Sequence, residues 1–415
     1  MNWQFQKIFR LVLIIGIFFS LSCSDTEKEN DKGKQNLYSI FLGEFKQQDQ
    51  VEDFRSSLNR SLWNKLRIER VYERNYKLFY GKFSSSLEAG ETAYNFFSDS
   101  LITNYKITRD GKPTLDTYAN VLFVAKYLDR PSVFSFNLIT KQTEVEWSNF
   151  GKKVIALNPS KDNNTVFITT ASSYGKFRGV RFIHNARLYK YRREEEQSDE
   201  IAEFGSGVQL YTYWENPDTF KVNFSSFDSV NSRIVNQKIF PFDLNGNLGK
   251  IKERTFDLLQ NGFPAPPKSN PITISPNNRF RFREVYSQGE SYIYLRDFSE
   301  KSEQIIFKTK QKIKDGLWSD DGNYFFIVTD NEVVKSTNKK NETGQQLLII
   351  DTVEKKLVRT FSGFKYENLL VHGKLLFFDE RSIQSAQIKI YDYRQDKIMY
   401  TISMFSGCGL AHLPM

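Results

Sequence analysis

The chain has few residues of the types that most often build catalytic or metal sites. Its three histidines, His184, His372 and His412, stand in unrelated contexts, so neither a metal cluster nor a Ser-His-Asp set is indicated. Acidic residues are plentiful instead, and 49 of them give too many pairs to nominate a catalytic couple. The sequence therefore carries no catalytic signature, and we expect a protein that is not an enzyme and that uses no metal and no cofactor.

Dense runs of lysine and arginine are also absent. The formal net charge is +9 over 415 residues, which is modest for this length. A groove that follows a nucleic-acid backbone needs clustered cations. We therefore expect no nucleic-acid partner.

The first 22 residues read as an export signal. Lys7 and Arg10 precede the apolar run "LVLIIGIFF", which is too short to cross a bilayer as a stable helix, and "SLSC" follows and ends at Cys23. A small residue before a cysteine at this place resembles the lipobox of bacterial lipoproteins, in which the cysteine becomes the acylated first residue of the mature chain. The resemblance implies lipidation at Cys23. Because Ser20 stands where the pattern prefers leucine, a conventional cleaved signal or an uncleaved anchor is the alternative.

Residues 23–36 contain no aliphatic or aromatic side chain after the cysteine, so we expect a flexible tether there. Acylation of Cys23 would leave Cys408 as a lone thiol in an irregular tail, 405–415, and would exclude a disulfide framework. Ser24 replaces the aspartate that retains many lipoproteins at the inner membrane. We therefore expect a lipid anchor in the outer membrane, with the protein facing the periplasm.

Two stretches, "YSIFLGEF" from Tyr38 and "YKLFYGKF" from Tyr76, repeat one strand pattern. Apolar residues alternate in each stretch, which predicts a strand. The segments "DQVE" from Asp49 and "SSLE" from Ser85 then have the spacing of helix starts, and each helix leads to another strand, "LRIERVYE" or "LITNYKIT". The order β-α-β-β-α-β predicts a small α+β domain over 37–111, the split-βαβ (ferredoxin- or RNP-like) fold, with four antiparallel strands and two helices on one face.

This segment resembles the SPOR (sporulation-related repeat) family. The matching positions are Tyr38, Ile40, Gly43 and Phe45 in the first copy, and Tyr76, Leu78, Gly81 and Phe83 in the second. The resemblance implies a domain that binds peptidoglycan glycan strands lacking stem peptides.

The predicted sheet makes the first and third strands central neighbours, so Phe41 and Phe79 would lie side by side on the open face with Lys77 close by. These three residues are our candidate glycan-binding site, with the rings as a stacking platform for sugars. RNA-recognition modules stack bases on similar aromatics, which is one alternative. Burial of both rings against the second domain is another.

From about residue 112 to 404, short strands recur. "SVFSFNLITKQTE", "SYIYLRDFSEKSE", "QLLIIDTVEKKLV" and "QIKIYDYRQDKIM" each read as a strand ending in Asp or Asn, a tight polar turn and another strand. In segments such as "ISPNNRFRFRE" and "WSDDGNYFFIV", a polar turn leads into a further strand. The regular recurrence of these strands predicts a β-propeller of six or seven blades, and the polar turns resemble those of Tol-type and WD-repeat-like propellers. The chain as a whole is thus expected to be mostly β.

Two further passages admit a second interpretation. "FDLNGNLGKIKE" from Phe242 resembles a calcium loop, but Leu248 stands where such a loop needs glycine, so we predict a hairpin turn. "YRREEEQSDE" from Tyr191 is a charged run, which we interpret as a solvated hairpin.

Together these features predict a cell-envelope lipoprotein that binds peptidoglycan glycans and uses its propeller to bind a protein partner in the envelope. The alternative is a propeller hydrolase or lyase acting on envelope glycans, with its site in the central channel.

Overall fold

The computed structural model describes residues 37–72, 75–127, 130–177, 180–262, 274–329, 332–336, 339–343, 345–381 and 386–404. The expected signal segment 1–22, the lipidation site Cys23, the tether 23–36 and the tail 405–415 lie outside the described residues. The chain divides into two compact units. Of the described residues, the first unit holds those up to Ala89 with Ser100–Thr114, and the second holds Gly90–Asp99 and those from Leu115 onward.

The first unit is built on one antiparallel sheet. Its elements are β1 (Tyr38–Phe45), α1 (Gln48–Ser57), a 3-10 helix (Arg60–Lys65), β2 (Leu66–Tyr72), β3 (Asn75–Phe83), the start of α2 (Ser86–Ser98), β4 (Lys106–Arg109) and β5 (Lys112–Pro113). The strands pair in the order β2-β3-β1-β4-β5. This is the split-βαβ order with one short strand added at the edge, so the predicted fold is confirmed.

The two helices of this region begin in different ways. At α2 the Glu88 N–H donates to Ser85 Oγ over 3.1 Å, as the sequence predicted. At α1 the helix already begins at Gln48, and its N-cap residue, Gln47, makes no side-chain cap bond. Asp49 lies in the first turn and does not cap the helix. Its negative charge there interacts favourably with the positive end of the helix dipole.

In its described residues, the second unit contains six successive antiparallel sheets. The first three consist of β6 (Asn120–Tyr127), β7 (Arg130–Asn137) and β8 (Thr143–Trp147); β9 (Lys153–Pro159), β10 (Thr165–Ala171), β11 (Ser173–Phe177), β12 (Val180–Arg192) and β13 (Gln197–Gly207); and β14 (Gln209–Asn216), β15 (Thr219–Phe227), β16 (Ile234–Asp243) and β17 (Lys252–Asp257). A short helix, α3 (Leu258–Asn261), follows the third sheet.

Of the other three sheets, the fifth and the sixth share one long strand. The fourth consists of β18 (Phe280–Ser287), β19 (Glu290–Asp297) and β20 (Ser302–Thr309). β21 (Ile313–Trp318), β22 (Tyr324–Thr329), β23 (Glu332–Ser336), β24 (Lys339–Thr343), β25 (Gln345–Asp351), β26 (Lys356–His372), β27 (Leu375–Arg381), β28 (Ala386–Asp392) and β29 (Lys397–Met404) follow. β26 pairs first with β25 and then with β27, so it belongs to the fifth and the sixth sheet, while β23 and β24 form a separate hairpin.

Six consecutive small antiparallel sheets are the blades of a β-propeller, and the predicted fold class is confirmed. Apolar clusters join the first sheet to the second, the second to the third, the fourth to the fifth and the fifth to the sixth. The first and last sheets also meet, because Phe136 of β7 stacks on Tyr400 of β29 with ring centroids 5.0 Å apart. This contact is what closure of a propeller requires.

Three turns of one design lead into β10, β18 and β22. In each turn a serine Oγ accepts the backbone N–H of the fifth residue after it and donates to the Asp or Asn two residues after it. The third residue after each serine has a positive φ of 57° to 70°, which Asn and Gly adopt readily. The serines are Ser160, Ser275 and Ser319.

The four segments that share a frame in the sequence contain a second common turn. An Asn or Asp at the strand end accepts the N–H groups of the second and third residues after it. The fourth residue after it has a positive φ between 50° and 59°. The predicted strand-turn-strand units are therefore confirmed at Asn137, Asp297, Asp351 and Asp392.

The two ambiguous passages are both turns between strands. Asp243 caps a tight turn through the N–H of Asn247 at 2.8 Å, as predicted for a hairpin. The charged run joins β12 to β13, but it is not solvated throughout, because the Arg193 side chain is completely buried against Glu146. In the part of the chain that the structure describes, no helix has the length and apolar character needed to cross a membrane.

Candidate glycan-binding face

Phe41 and Phe79 are direct partners across the β1–β3 ladder. Their ring centroids are 5.5 Å apart and the rings are tilted by 58°. Ile40 and Leu78 precede them in the chain and are completely buried. Because side chains alternate along a strand, the two rings lie on the opposite face of the sheet from these core residues. The structure thus brings the two predicted rings together.

The two rings differ in what they can offer to a ligand. Phe79 is only 1% exposed, whereas Phe41 is half-buried. Arg67, the β2 partner of Phe79, places its guanidinium 5.4 Å from the Phe79 ring centroid. Phe79 is therefore enclosed between an aromatic and a cationic neighbour. Phe41 presents ring surface to a ligand, whereas the Phe79 ring is covered.

Basic side chains stand at both ends of this aromatic pair. Arg67 is in register with Phe79, and Lys106 of β4 is in register with Phe41. Four neighbouring strands thus contribute one row across the sheet, which runs Arg67, Phe79, Phe41, Lys106. Sequence reasoning missed Arg67 and Lys106, although the predicted strand order would have located them once the register was known.

Lys77 lies on the same face, two residues from Phe79, and is half-buried. Its register partners are acidic, Glu69 on β2 and Glu44 on β1. Glu69 pairs with Arg67 at 2.8 Å. Lys77 has no ion pair within the described part of the chain, so its ammonium is available to an anionic or hydroxyl-bearing ligand. The ligand-binding role of Lys77 and of the two rings remains a prediction.

The two described histidines serve other purposes. His372 stacks on Tyr118 with ring centroids 3.9 Å apart, and its Nε2 lies 2.7 Å from the Tyr118 carbonyl oxygen. Burial lowers the pKa of His372 to about 4, so it stays neutral near pH 7. His184 is exposed, with Nδ1 3.2 Å from Ser206 Oγ. Among the described residues, no group of three or more His, Cys, Asp or Glu side chains is placed to hold a metal ion.

No protein-family model matches the chain, and no curated protein matches it. Among solved structures, it is similar to TolB from Acinetobacter baumannii, with 12% identity, coverage of 83% of this chain and 80% of that chain, and a TM-score of 0.41. It is also similar to an oligogalacturonate lyase from Vibrio parahaemolyticus, with 11% identity, coverage of 66% and 86%, and a TM-score of 0.38. It is similar as well to a putative TolB from Agrobacterium tumefaciens, with 14% identity, coverage of 67% of this chain and 91% of that chain, and a TM-score of 0.35. These similarities are too low to support a function, and the propeller assignment depends on the sheets described above.

Proposed function

We propose that the protein is a non-enzymatic lipoprotein of the cell envelope that binds peptidoglycan glycan strands on the β1–β3 face. In this proposal Cys23 carries the lipid and attaches the chain to the outer membrane. The propeller faces the periplasm and binds an envelope protein.

The observation that carries the glycan proposal is the row Arg67, Phe79, Phe41, Lys106, with Lys77 beside it. A sugar ring can stack on the half-buried Phe41 ring, as flat apolar faces do on aromatics. Glycan strands without stem peptides also expose a carboxylate on each muramic acid. Lys106 at one end of the row and Lys77 beside it suit such a ligand, because they can pair with carboxylates while the ring contacts the sugar.

Binding to purified sacculi in a pull-down tests this proposal. Phe41→Ala should weaken binding about five- to tenfold, since one aromatic contact contributes on the order of 1 kcal/mol. The control is Phe45→Ala, because the Phe45 ring packs on Phe54 of α1 at 5.2 Å. That change should lower the melting temperature and leave the affinity of the folded fraction unchanged. Equal sacculus binding by wild type and Phe41→Ala would rule out this face as the glycan site.

The same sacculi distinguish the scaffold from the rival enzyme. After incubation, the supernatant is assayed for soluble sugar fragments. Binding without release supports the scaffold. Sustained release by the purified protein would instead favour a hydrolase or lyase.

A further inference from the structure

Within the described residues, an apolar cluster covers one face of the fourth sheet of the propeller, β18–β20. Phe280, Phe282, Ile293 and Leu295 point into the apolar cluster shared with the fifth sheet, where they meet Trp318. Strand alternation sends the intervening side chains to the other face. That face is open, because Arg281, Arg283 and Arg296 are exposed and Ile305 of β20 is 50% exposed.

Cations are concentrated on this open face. Arg281 and Arg296 are direct partners across the β18–β19 ladder. Like charges that face each other across a sheet are destabilising. Neither guanidinium has an ion pair within the described residues, and Glu303, the β20 partner of Arg296, pairs with Arg283 instead. Arg283, two residues along, is held by Glu303 at 3.0 Å and stacks on Tyr294 at 4.5 Å.

The spacing of these groups suits an anionic ligand. Adjacent strands are about 5 Å apart, so the guanidiniums of Arg281 and Arg296 can converge on one carboxylate. Arg283 lies about 7 Å further along the strand, at the distance of two residues. Tyr294 of β19 is the register partner of Arg283, and Ile305 of β20 is the register partner of Tyr294. These two side chains add aromatic and apolar surface beside the cations.

We propose that this face, formed by Arg281, Arg283, Arg296, Tyr294 and Ile305, binds a carboxylated polysaccharide. A carboxylate between Arg281 and Arg296 relieves their mutual repulsion, which makes binding favourable beyond simple charge attraction. Ile305 and the Tyr294 ring, on which Arg283 already stacks from one side, offer apolar surface for the flat faces of the sugar rings. This site is separate from the β1–β3 face and does not depend on the function proposed for it.

The test measures binding of the full chain to oligomers of polygalacturonate by calorimetry at low salt. The double variant Arg281→Gln with Arg296→Gln should bind at least tenfold more weakly. Its matched control is Lys250→Gln with Arg254→Gln, which removes the same charge from exposed positions that have no ion pair in the described residues. This control should bind like the wild type, and the melting temperature of the first variant should be equal to or above that of the wild type because a repulsion is removed.

Three results would overturn the proposal. The first is no binding of polygalacturonate by the wild type at low salt. The second is an equal loss in both double variants, which would indicate attraction by net charge alone. The third is equal binding of polyglutamate with the same dependence on Arg281 and Arg296, which would assign the face to an acidic protein. Sacculus binding by the Phe41→Ala variant reports on the other face, so the two proposals can fail separately.

Discussion

At the scale of single residues, Arg193 has a structural role that the charged run from Tyr191 does not indicate. Its guanidinium contacts Glu146 at 2.5 and 3.0 Å and donates to the carbonyl oxygens of Asn163 at 3.1 Å and Asn120 at 3.0 Å. Glu146 and Asn120 lie in the first sheet, and Asn163 lies in the turn before β10. Residue type alone could not identify this role, because it depends on which side chains another sheet brings close.

Arg193→Met should destabilise the protein by about 3–5 kcal/mol, since it leaves Glu146 poorly solvated and without its partner. Urea unfolding measures the change. Arg192→Met is the matched control, because the acidic partners of Arg192, Glu195 and Asp199, are 59% and 46% exposed. Exposed pairs of this kind contribute about 1 kcal/mol or less. Similar losses for the two variants would contradict the assigned role of Arg193.

The candidate glycan site shows the same limit of sequence reasoning. The adjacency of Phe41 and Phe79 was predictable, because the split-βαβ order makes their strands neighbours. The burial of Phe79 was not, because period-2 alternation assigns a side chain to a face without saying how much of that face is covered. Arg67 and Lys106 were missed because they enter the row only through the register of the outer strands.

At the scale of elements, prediction succeeded where a local hydrogen bond determines the structure. The Ser and Asx turns are examples, since one side chain organises each turn within a few residues. Prediction was weaker where partners are distant in sequence. The 17-residue strand β26 contains Ser362 and Gly363, a pair typical of turns, and Gly363 has a positive φ of 92°. The chain nevertheless continues as one strand from the fifth to the sixth sheet, which this local signal does not predict. Helix α1 likewise begins without the expected Asp49 cap.

Helix α2 supports a prediction with an unusual sign. Alanine in a helix interior normally stabilises by about 1 kcal/mol relative to glycine. A Cβ on Gly90, however, would lie 2.2 Å from Asp116 Oδ1 and 2.8 Å from Tyr118 Cβ. Asp116 Oδ1 is already held by the N–H groups of Tyr118 and Ala119 at 3.1 and 2.9 Å, so it cannot yield easily.

Gly90→Ala should therefore lower the free energy of unfolding by about 1–3 kcal/mol, as overpacking does. Thermal and urea unfolding check the direction. Ser56→Ala at an exposed position of α1 is the control and should change stability by no more than about 0.5 kcal/mol. A Gly90→Ala variant more stable than the wild type would mean that this contact is absent in solution.

At the scale of the whole molecule, the sequence correctly indicated a small α+β region followed by a propeller. The division between the compact units is less simple than a cut near residue 112, because it falls inside α2: Ala89 belongs to the first unit and Gly90 to the second. Composition and turn signals locate the ends of elements, but they cannot say with which unit each half of a helix packs. That assignment depends on tertiary contacts such as the one between Tyr94 and Tyr118, whose ring centroids are 5.6 Å apart.

Attachment to the membrane is the remaining whole-molecule prediction, and it concerns Cys23. The residues after it up to 36 carry no apolar side chain that could hold the chain at a bilayer. Acyl chains attached to Cys23 would hold it there, because each buried CH₂ contributes about 0.8 kcal/mol to membrane binding and more than one chain gives stable anchoring. Cys23→Ser should therefore move the protein from the membrane to the soluble fraction and abolish labelling by a fatty-acid probe. Cys408→Ser removes the other cysteine and should leave both properties unchanged. If Cys23→Ser stays labelled and membrane-bound, the lipoprotein assignment is wrong and the apolar N-terminal segment becomes the better explanation for attachment.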